Sequence, residues 1–326
     1  MLSATKTIIS GVGSYLPERV VTNHDLTKFV DTSDEWIRSR SGIEQRHFAS
    51  DEQVTSDLAS IAAQRALDQA GLAPGDIDLI MVATVTPDKT FPSTAVFVQK
   101  KLGVPAGIAF DVSAACSGFL YGLNIAHNFI STGQVRHALV IGAEKLTCFL
   151  DWEDRATCVL FGDGAGAVVL SSESADQQPY DRGLIATYLS SDGNRADDLY
   201  ADGGPSSTGT VGKVRMNGRE VFRHAVEQIS NAVVEVAQRG GVENSEIDWF
   251  VPHQANVRII ERCAKKLSLD NDKIIVTIDH HGNTSSASIP LALDEGIKDG
   301  RIKPGQLLVF AALGGGLAWG SALLRY

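Results

Sequence analysis

The stretch Asp111-Val-Ser-Ala-Ala-Cys-Ser-Gly-Phe-Leu-Tyr-Gly122 organises the chain, because an apolar run ends there in small residues and a cysteine opens a predicted helix. A cysteine at a helix N-terminus faces unpaired N–H groups and the positive end of the helix dipole, which lower a thiol pKa. The residues that follow are apolar nearly all round, as expected of a buried helix. We therefore expect Cys116 to be a reactive thiol reached through a tunnel. The alternative is a small core residue, because free cysteines are often buried.

The composition is that of a large folded protein with an acidic balance. The chain has 326 residues, 44% of them hydrophobic, and a formal net charge of −10 at pH 7. This charge argues against nucleic-acid binding and against a generally basic membrane-binding surface. No apolar run approaches the length of a membrane span. The four cysteines show no CxxC spacing, which fits a reducing compartment, so we expect a cytoplasmic protein.

The second half of the chain resembles the first. Similar strands open at Ile77 and Ile247, and the helices after them end in Lys100-Lys-Leu and Lys265-Lys-Leu. Self-similarity at a nearly constant offset is the signature of an internal duplication. We therefore expect two related halves with a site where they meet.

The predicted fold class is α/β, with two duplicated βαβ-rich halves. Continuous apolar runs such as Leu79-Ile-Met-Val-Ala-Thr-Val85 are typical of strands buried on both faces. The expected boundaries are 1–172 for the half that carries Cys116 and 180–326 for the second half. The polar segment 171–179 is the predicted linker between them.

Three shorter segments carry structural predictions of their own. Thr32-Ser-Asp-Glu35 matches a capping box that opens a helix. The glycine run Phe161-Gly-Asp-Gly-Ala-Gly166 continues into a strand, which argues against a dinucleotide-binding turn because such a turn leads into a helix. The segment 190–212 is dense in Gly, Ser and Asp and is predicted to be a long loop.

Polar motifs of the second half fall where its strands end. Pro252-His-Gln-Ala-Asn256 places a histidine, His253, at the carboxyl end of a predicted strand. Ile278-Asp-His-His-Gly-Asn-Thr284, which contains Asn283, occupies the place that the cysteine stretch occupies in the first half. Each residue alone also fits a hydrogen-bonded core residue or an Asx turn. Together with the duplication, they predict that the cysteine, the histidine and the asparagine converge at one interface.

A glycine run near the C-terminus adds a further component to this site. Ala312-Leu-Gly-Gly-Gly-Leu317 can present bare backbone N–H groups to a developing oxyanion. No HExxH or comparable spacing of ligands occurs, so we assign no metal.

An aromatic residue and an arginine lie on one face of the first predicted helix. Trp36 and Arg40 are four residues apart, and an exposed indole beside a guanidinium can stack a purine and meet a phosphate. Ordinary surface packing of an amphipathic turn is the alternative.

At this point the chain resembles the thiolase-fold condensing enzymes, and most closely the β-ketoacyl-acyl-carrier-protein synthase III family, which initiates bacterial fatty-acid synthesis. The resemblance spans the whole chain and implies a layered α-β-α-β-α arrangement. A Cys-His-Asn set is similar to that of this branch and of the chalcone-synthase-like enzymes. The motifs that carry the resemblance are Thr32-Ser-Asp-Glu-Trp-Ile37, Asp111-Val-Ser-Ala-Ala-Cys116, Phe161-Gly-Asp-Gly-Ala-Gly166, Val251-Pro-His-Gln-Ala-Asn256, His281-Gly-Asn-Thr284 and Gly314-Gly-Gly.

The resemblance implies roles for the site residues. Cys116 would take an acyl group from acyl-CoA, with the backbone N–H groups of Cys116 and Gly315 as the oxyanion hole. His253 and Asn283 would hold the thioester oxygen of a malonyl group on acyl-carrier protein and stabilise the enolate left by decarboxylation. Both can donate hydrogen bonds without protonating the carbon nucleophile. Acyl-CoA and malonyl-carrier protein are then substrates, and no cofactor is expected.

The resemblance also implies binding residues and a homodimer. Phe91 resembles the residue that reaches across a dimer interface into the partner's acyl pocket, and Leu146 and Phe161 resemble pocket walls. Where the family often has asparagine, this chain has Arg219, which puts a pantetheine contact in doubt. The positions that resemble those gripping coenzyme A are Thr32, Trp36, Arg40 and Arg155.

A basic helix face offers a docking surface for an acidic carrier protein. Basic residues recur at helical spacing after His253, and Glu261 is displaced from their face. A solvated helix face is the alternative. The basic residues are Arg258, Arg262, Lys265 and Lys266.

The expected activity is a decarboxylating condensation that uses acetyl-CoA or a similarly short primer. One alternative is a same-fold acyltransferase or condensing enzyme of secondary metabolism with a different acceptor. A cysteine hydrolase would instead release no carbon dioxide. A non-catalytic nucleotide-binding protein would tolerate the loss of Cys116.

Overall fold

Two mixed β-sheets form the frame of the molecule. The structure is a computed structural model and describes residues 5–174 and 182–326. The strands are β1 (Thr5–Tyr15), β2 (Arg19–Thr22), β3 (Gln45–Phe48), β4 (Leu79–Ala83), β5 (Ile108–Val112), β6 (His137–Glu144), β7 (Gly164–Ser174), β8 (Gly183–Ser191), β9 (Leu199–Ala201), β10 (Val214–Met216), β11 (Trp249–Pro252), β12 (Leu307–Gly314) and β13 (Ala318–Arg325).

Helices separate and cover these sheets. The helices are α1 (Asn23–Leu26), α2 (Asp34–Ser41), α3 (Thr55–Ala70), α4 (Thr94–Leu102), α5 (Gly118–Ser131), α6 (Gly218–Gly240), α7 (Val257–Leu267), α8 (Ile278–His281) and α9 (Ser288–Lys298). No helix in the described ranges is long and apolar enough to cross a membrane.

Four strands of the larger sheet have the same arrangement as the four strands of the smaller sheet. The larger sheet has the order β1-β7-β6-β4-β5, and the smaller has the order β11-β12-β13-β8. In the larger sheet, β4 runs parallel to β6, and β7 is antiparallel to both of its neighbours. In the smaller sheet, β11 runs parallel to β12, and β13 is antiparallel to both of its neighbours. The duplication seen in the sequence is therefore present in the strand arrangement.

Alternate residues of the central strands face different helix layers. Leu79 and Met81 of β4 pack into a core with α5 and α9, whereas Ile80 packs on the opposite face with α3 and α4. In β12, Phe310 faces the same α5 and α9 layer, whereas Val309 faces α6 and α7. Successive side chains of a strand point to opposite faces, so an uninterrupted apolar run serves a strand covered on both sides. This arrangement yields the layers helix, sheet, helix, sheet and helix.

Two predicted connections differ from the structure. Strand β7 extends to Ser174, so the predicted linker 171–179 begins inside a strand, and its remaining residues lie outside the described ranges. The predicted loop 190–212 contains a 3-10 turn at Gly193–Asp198 and strand β9, which pairs with β10. The hairpin is held by Arg215, which bonds Asp202 at 2.7 Å and Asp151 at 2.5 Å.

The start of α2 is displaced by one residue from the prediction. Ser33, not Thr32, is the N-cap, and its hydroxyl accepts a hydrogen bond from the backbone N–H of Trp36 at 3.1 Å. Both residue types are good N-caps, so the sequence pattern cannot choose between adjacent hydroxyls. Gly42 ends the helix in the left-handed conformation.

A cluster of ionisable side chains joins α8 to α9. The ring of His280 bonds Asp279 through Nδ1 at 2.9 Å and Glu295 through Nε2 at 2.8 Å. His281 Nε2 lies 3.2 Å from the same Glu295 oxygen. The hydrogen bonds to Asp279 and Glu295 raise the pKa of His280 from its ordinary 6.5 to about 10. A protonated His280 therefore stabilises the fold.

We expect His280→Ala to lower the free energy of unfolding in a pH-dependent way. Folding raises the pKa of His280, so its protonation stabilises the folded state. This contribution to the free energy of unfolding is complete below the unfolded pKa of 6.5 and is lost as pH rises through about 10. The expected loss is about 1 kcal/mol at pH 6, because the partly exposed ring is screened by water. Denaturant unfolding at pH 6, 8 and 10 measures it. The exposed His24→Ala is the control, and a His280→Ala difference independent of pH would contradict the prediction.

Candidate active site

One large cavity brings together the residues predicted to carry the chemistry. It has a volume of about 1120 Å³, and Cys116, His253, Asn283 and Gly315 all line it. They come from four separate parts of the chain and from both halves of the duplication. The predicted convergence on one site is therefore present in the geometry.

Cys116 lies in a 3-10 turn, Ala115–Ser117, between β5 and the first turn of α5. The backbone of Ala115 has a φ of 46°, a left-handed conformation that is uncommon for residues other than glycine. The side chain of Ser117 fixes the turn by donating to the carbonyl of Ala318 at 2.7 Å. The thiol is held rigidly at the cavity wall, and the residue is 8% exposed.

The expected lowering of the Cys116 pKa is wrong. Burial raises the pKa of the thiol to about 12, and the negative charge of Glu144 adds to this effect, whereas a hydrogen bond with Ser285 opposes it. Loss of water disfavours the thiolate more strongly than the hydrogen bonds from Ser285 and from its own backbone favour it. Cys116 is therefore a neutral thiol at pH 7, and it must lose its proton before the sulfur can act as a thiolate.

The glycine run after β12 lies directly against the cysteine. A Cβ atom built on Gly314 would stand 2.5 Å from the backbone nitrogen of Cys116, closer than any side chain could tolerate. A Cβ on Gly315 would stand 2.6 Å from the carbonyl oxygen of Leu199. The absence of side chains lets this backbone approach Cys116 and leaves room in the cavity for an acyl oxygen.

His253 follows β11 and is neutral. Its backbone N–H donates to Ala311 at 2.9 Å, which continues the strand pairing, and its ring Nδ1 lies 2.6 Å from the hydroxyl of Ser288. The residue is 3% exposed, and burial lowers its pKa to about 3. An uncharged imidazole at neutral pH can donate or accept one hydrogen bond through Nε2.

Asn283 is fixed through both its backbone and its side chain. The backbone forms a bridge with Phe161, in which Asn283 donates to Leu160 at 2.9 Å and accepts from Gly162 at 3.0 Å. Its Oδ1 accepts from the backbone N–H of Ser285 at 2.9 Å. Because the oxygen is engaged, the amide Nδ2 is the atom available to donate to a ligand.

The duplicated turns meet at the site. Ser285 has a φ of 51° and begins a 3-10 turn ahead of α9, as Ala115 does ahead of α5. By this correspondence Ser286 is the counterpart of Cys116, and Asn283 lies three residues before it. The duplication therefore brings a thiol from one turn and an amide from the loop before the other to one cavity.

Two of the three predicted acyl-pocket residues line the cavity. Leu146 and Phe161 are buried in its wall. Phe91 does not line the cavity of its own chain, and its side chain is 82% exposed.

The predicted coenzyme A residues form a separate cluster outside the cavity lining. The guanidinium carbons of Arg40 and Arg155 lie 4.8 Å and 5.0 Å from the ring centre of Trp36. The buried hydroxyl of Thr32 has no hydrogen-bond partner among the described residues. Asn256, which lines the cavity, donates to the backbone carbonyl of Arg40 at 2.8 Å and so links the cluster to the cavity.

Helix α7 presents the predicted basic face to solvent. Its four basic residues are exposed, whereas Ile259, Ile260 and Cys263 are buried. The guanidinium carbons of Arg258 and Arg262 lie 5.7 Å and 4.9 Å from the ring centre of Phe222. Phe222 lines the cavity, so these two arginines border its entrance. Arg219 is exposed and does not line the cavity.

Sequence reasoning missed two buried residues at the site. Glu144 accepts hydrogen bonds from Val85 at 3.1 Å and from Thr86 at 2.8 Å, and burial raises its pKa to about 7. It also bonds Ser286 at 3.0 Å, which places a carboxyl group beside the turn that follows Asn283. Ser288 is the second missed residue. Glu144 is a charged residue at the end of the apolar strand β6, and Ser288 is a serine at the start of the apolar helix α9. These two patterns could have indicated them in the sequence.

One group of three potential metal ligands occurs in the described ranges. His280, His281 and Glu295 lie within 4.8 Å of one another, do not line the catalytic cavity and are hydrogen-bonded to each other.

Comparison with known proteins identifies a family to which the chain is similar. Family models described as 3-oxoacyl-[acyl-carrier-protein (ACP)] synthase III and its C-terminal part match residues 110–193 and 237–326. The chain is 59% identical over 317 residues to the beta-ketoacyl-[acyl-carrier-protein] synthase III of Paramagnetospirillum magneticum, covering 97% of this chain and 98% of that protein. It is 56% identical over 321 residues to the protein of that name from Rhodospirillum centenum, covering 98% and 99%.

A solved structure shows the same architecture. The crystal structure of 3-oxoacyl-[acyl-carrier-protein] synthase III from Aquifex aeolicus matches with a TM-score of 0.92 and 49% identity, covering 98% of this chain and all of that one. This match confirms the thiolase-like fold expected from the sequence motifs. With such identity over nearly its full length, the chain belongs to the β-ketoacyl-acyl-carrier-protein synthase III family.

Proposed function

We propose that this chain is an acyltransferase that condenses a short acyl-CoA, acetyl-CoA in the first instance, with malonyl-acyl-carrier protein. The products are 3-ketoacyl-carrier protein, coenzyme A and carbon dioxide, and the reaction initiates fatty-acid synthesis. One observation carries the proposal: a single cavity is lined by Cys116, His253, Asn283 and Gly315. The chain is also 59% identical in sequence to a relative in this family.

The first half-reaction is thioester exchange at Cys116. Its sulfur attacks the carbonyl carbon of acyl-CoA, the carbon–sulfur bond to coenzyme A breaks, and the thiol proton ends on the leaving sulfur. The backbone N–H groups of Cys116 and Gly315 are the proposed donors to the transient oxyanion. Burial raises the pKa of Cys116, so its thiol is protonated at neutral pH and the proton must leave as the sulfur attacks.

The second half-reaction makes the carbon–carbon bond. The malonyl carboxylate leaves as carbon dioxide, and its electron pair forms an enolate whose oxygen accepts hydrogen bonds from His253 Nε2 and Asn283 Nδ2. The enolate carbon attacks the acyl carbonyl on Cys116, and the cysteine leaves as a thiolate that takes a proton from water. Burial keeps His253 neutral, so it stabilises the enolate without protonating the carbon. The two substrates and one proton from water supply every atom, and no cofactor enters the balance.

The binding roles follow the clusters outside the cavity. We place the adenine of coenzyme A on Trp36, with Arg40 and Arg155 beside it for phosphate groups and Thr32 as an available hydroxyl. Leu146 and Phe161 form walls of the acyl pocket. The exposed ring of Phe91 is the group we expect to enter the partner's pocket in a homodimer. The cysteine pattern supports a cytoplasmic location.

A product assay tests the proposed function. The protein is incubated with malonyl-carrier protein and a panel of acyl-CoAs of increasing length, and 3-ketoacyl-carrier protein and carbon dioxide are both measured. Equal amounts of the two products, with the largest yield from short acyl-CoAs, are expected. Thioester hydrolysis without carbon dioxide would indicate a hydrolase, and transfer only to a hydroxyl or amine would indicate a different acyltransferase.

The basic face of α7 is the proposed entrance for the carrier protein. The face comprises Arg258, Arg262, Lys265 and Lys266, and α7 begins four residues after His253, where a phosphopantetheine arm must enter. Local positive charge offsets the repulsion between a chain of net charge −10 and an acidic partner.

We expect Arg258→Glu to raise the KM for malonyl-carrier protein about tenfold with little effect on acyl-CoA loading, because association is steered by exposed charge. The wild-type KM should rise with ionic strength, since exposed charges are screened beyond about 8 Å at 0.15 M salt. Steady-state kinetics at several salt concentrations measure both effects. Lys303→Glu is the control, because it makes a similar charge change near the opposite end of β12. Unchanged carrier-protein kinetics in Arg258→Glu, or a salt-independent KM, would contradict the proposal.

A further inference from the structure

The ring of His253 has a buried hydroxyl as its neighbour. Its Nδ1 lies 2.6 Å from Ser288 Oγ at the first residue of α9. Ser288 is 2% exposed, so water does not compete for this bond. A neutral imidazole carries its proton on one nitrogen only, so the direction of this hydrogen bond decides which nitrogen faces the substrate as a donor.

A second contact of Ser288 settles the direction. The backbone N–H of Gln254 lies 3.4 Å from the same hydroxyl oxygen. An N–H can only donate, so the oxygen of Ser288 accepts there. Among the described residues, Nδ1 of His253 is the other polar partner of this hydroxyl. A hydroxyl oxygen can accept twice, but if Nδ1 also donated, the buried proton of Ser288 would have no acceptor among the described residues. The proton of Ser288 therefore goes to Nδ1, which leaves the ring proton on Nε2.

The backbone of Gln254 is itself immobilised. Its Nε2 donates to Pro252 at 2.9 Å and to Ile275 at 3.1 Å, and its Oε1 accepts from the backbone of Thr277 at 2.9 Å. A buried side chain with three hydrogen bonds cannot turn without breaking them. The hydrogen bonds of its side chain thus fix the direction in which the backbone N–H of Gln254 donates to the oxygen of Ser288.

We propose that Ser288 is a positioning residue that holds His253 in the tautomer protonated at Nε2. The inference rests on the proposed function, in which Nε2 donates to the enolate oxygen. The opposite tautomer would present a lone pair to that oxygen and would repel the developing charge. Ser288 does not line the cavity, and it acts through the imidazole.

The tautomer can be observed without any activity. Protein labelled with ¹⁵N-histidine is studied by long-range ¹H–¹⁵N correlation near pH 7, where protonated and unprotonated ring nitrogens have well-separated shifts. The signals of His253 are assigned by their loss in His253→Ala. We expect Nε2 to be protonated and Nδ1 to be bare in the wild type. A proton on Nδ1, or an imidazolium, would overturn the proposal.

Variants of the serine test its role. In Ser288→Ala we expect the single Nε2–H tautomer to give way to a mixture, and carbon dioxide release to fall about tenfold to a hundredfold, because a buried acceptor has lost its donor. Acylation of Cys116 should stay at the wild-type rate. Ser288→Thr keeps the hydroxyl and should restore both the tautomer and the rate.

A matched control separates positioning from stability. Ser286→Ala also removes a buried serine hydroxyl next to α9, but that hydroxyl bonds Ala83 and Glu144. It should leave the tautomer of His253 unchanged. If Ser288→Ala kept the wild-type tautomer, the inference would fail while the proposed function stood. If His253→Ala decarboxylated normally, the proposed function would fail while the tautomer result stood.

Discussion

Replacement of Cys116 by alanine abolishes acyl transfer, and we expect the loss to be on the order of a millionfold, as in other enzymes that lose their nucleophile. Cys116→Ser should behave alike, because a buried hydroxyl is far less acidic than the thiol that it replaces. The reason is structural: among the described residues, Cys116 is the cysteine whose backbone lies against the glycine run after β12.

Intact-mass spectrometry after acyl-CoA treatment measures this result directly. The wild type should gain one acyl group, located on Cys116 by peptide mapping, and Cys116→Ala should gain none. Cys148→Ser is the matched control, because Cys148 is exposed and lines the same cavity. An adduct on Cys148, Cys158 or Cys263 in the wild type would reject the assignment.

The second large effect separates the two half-reactions. His253→Ala and Asn283→Ala should each reduce decarboxylation of malonyl-carrier protein a hundredfold to a thousandfold, since removal of one donor to a developing oxyanion costs about 2.7 to 4 kcal/mol. Both variants should still acquire an acyl group on Cys116, because the proposed oxyanion hole for that step is made by backbone N–H groups.

The two steps are measured independently. Acylation is followed by mass after rapid mixing with acyl-CoA, and carbon dioxide is followed from carboxyl-labelled malonyl-carrier protein. Asn124→Ala is a control for the asparagine, because it removes a partly buried amide that bonds Thr187 and does not line the cavity. Variants that decarboxylate normally but cannot be acylated would reverse the roles that we assign.

The strands, and the convergence of Cys116, His253 and Asn283 on one cavity, could be predicted from the sequence. An apolar run such as that of β4 indicates burial on both faces, and the duplication indicates which loops lie at equivalent positions. His253 and Asn283 were placed at strand and loop positions by this correspondence. The sequence motifs that resemble the family then supplied their roles.

The acidity of Cys116 could not be predicted in the same way. The helix start is visible in the sequence, but the desolvation that dominates the pKa depends on what packs around the thiol. The burial of Glu144 beside Ser286, which adds to the effect, joins residues far apart in the chain. A local sequence pattern indicates only the nearby helix start, whereas the pKa of Cys116 is set by residues that are distant in the chain.

The hairpin of β9 and β10, which begins inside the predicted loop 190–212, was missed for a related reason. Its strands are three residues each, and the glycines between them dominate the local composition. The ion pair of Arg215 with Asp202 lies inside the hairpin, and the ion pair of Arg215 with Asp151 connects it to an earlier segment of the chain. A pattern search confined to neighbouring residues finds the glycines and not the ion pairs. Ser288 was missed similarly, because its partner His253 lies in another segment.

The helix layer that the two halves share has a consequence for synthesis. Helix α5 comes from the first half and α9 from the second, and both pack into one core between the sheets. While the ribosome is still translating the second half, the larger sheet lacks α9 and its inner face stays partly bare. Exposed apolar surface makes such an incomplete chain prone to aggregation. The cavity that holds Cys116, His253 and Asn283 can be completed only after Gly315, which follows β12, has been synthesised.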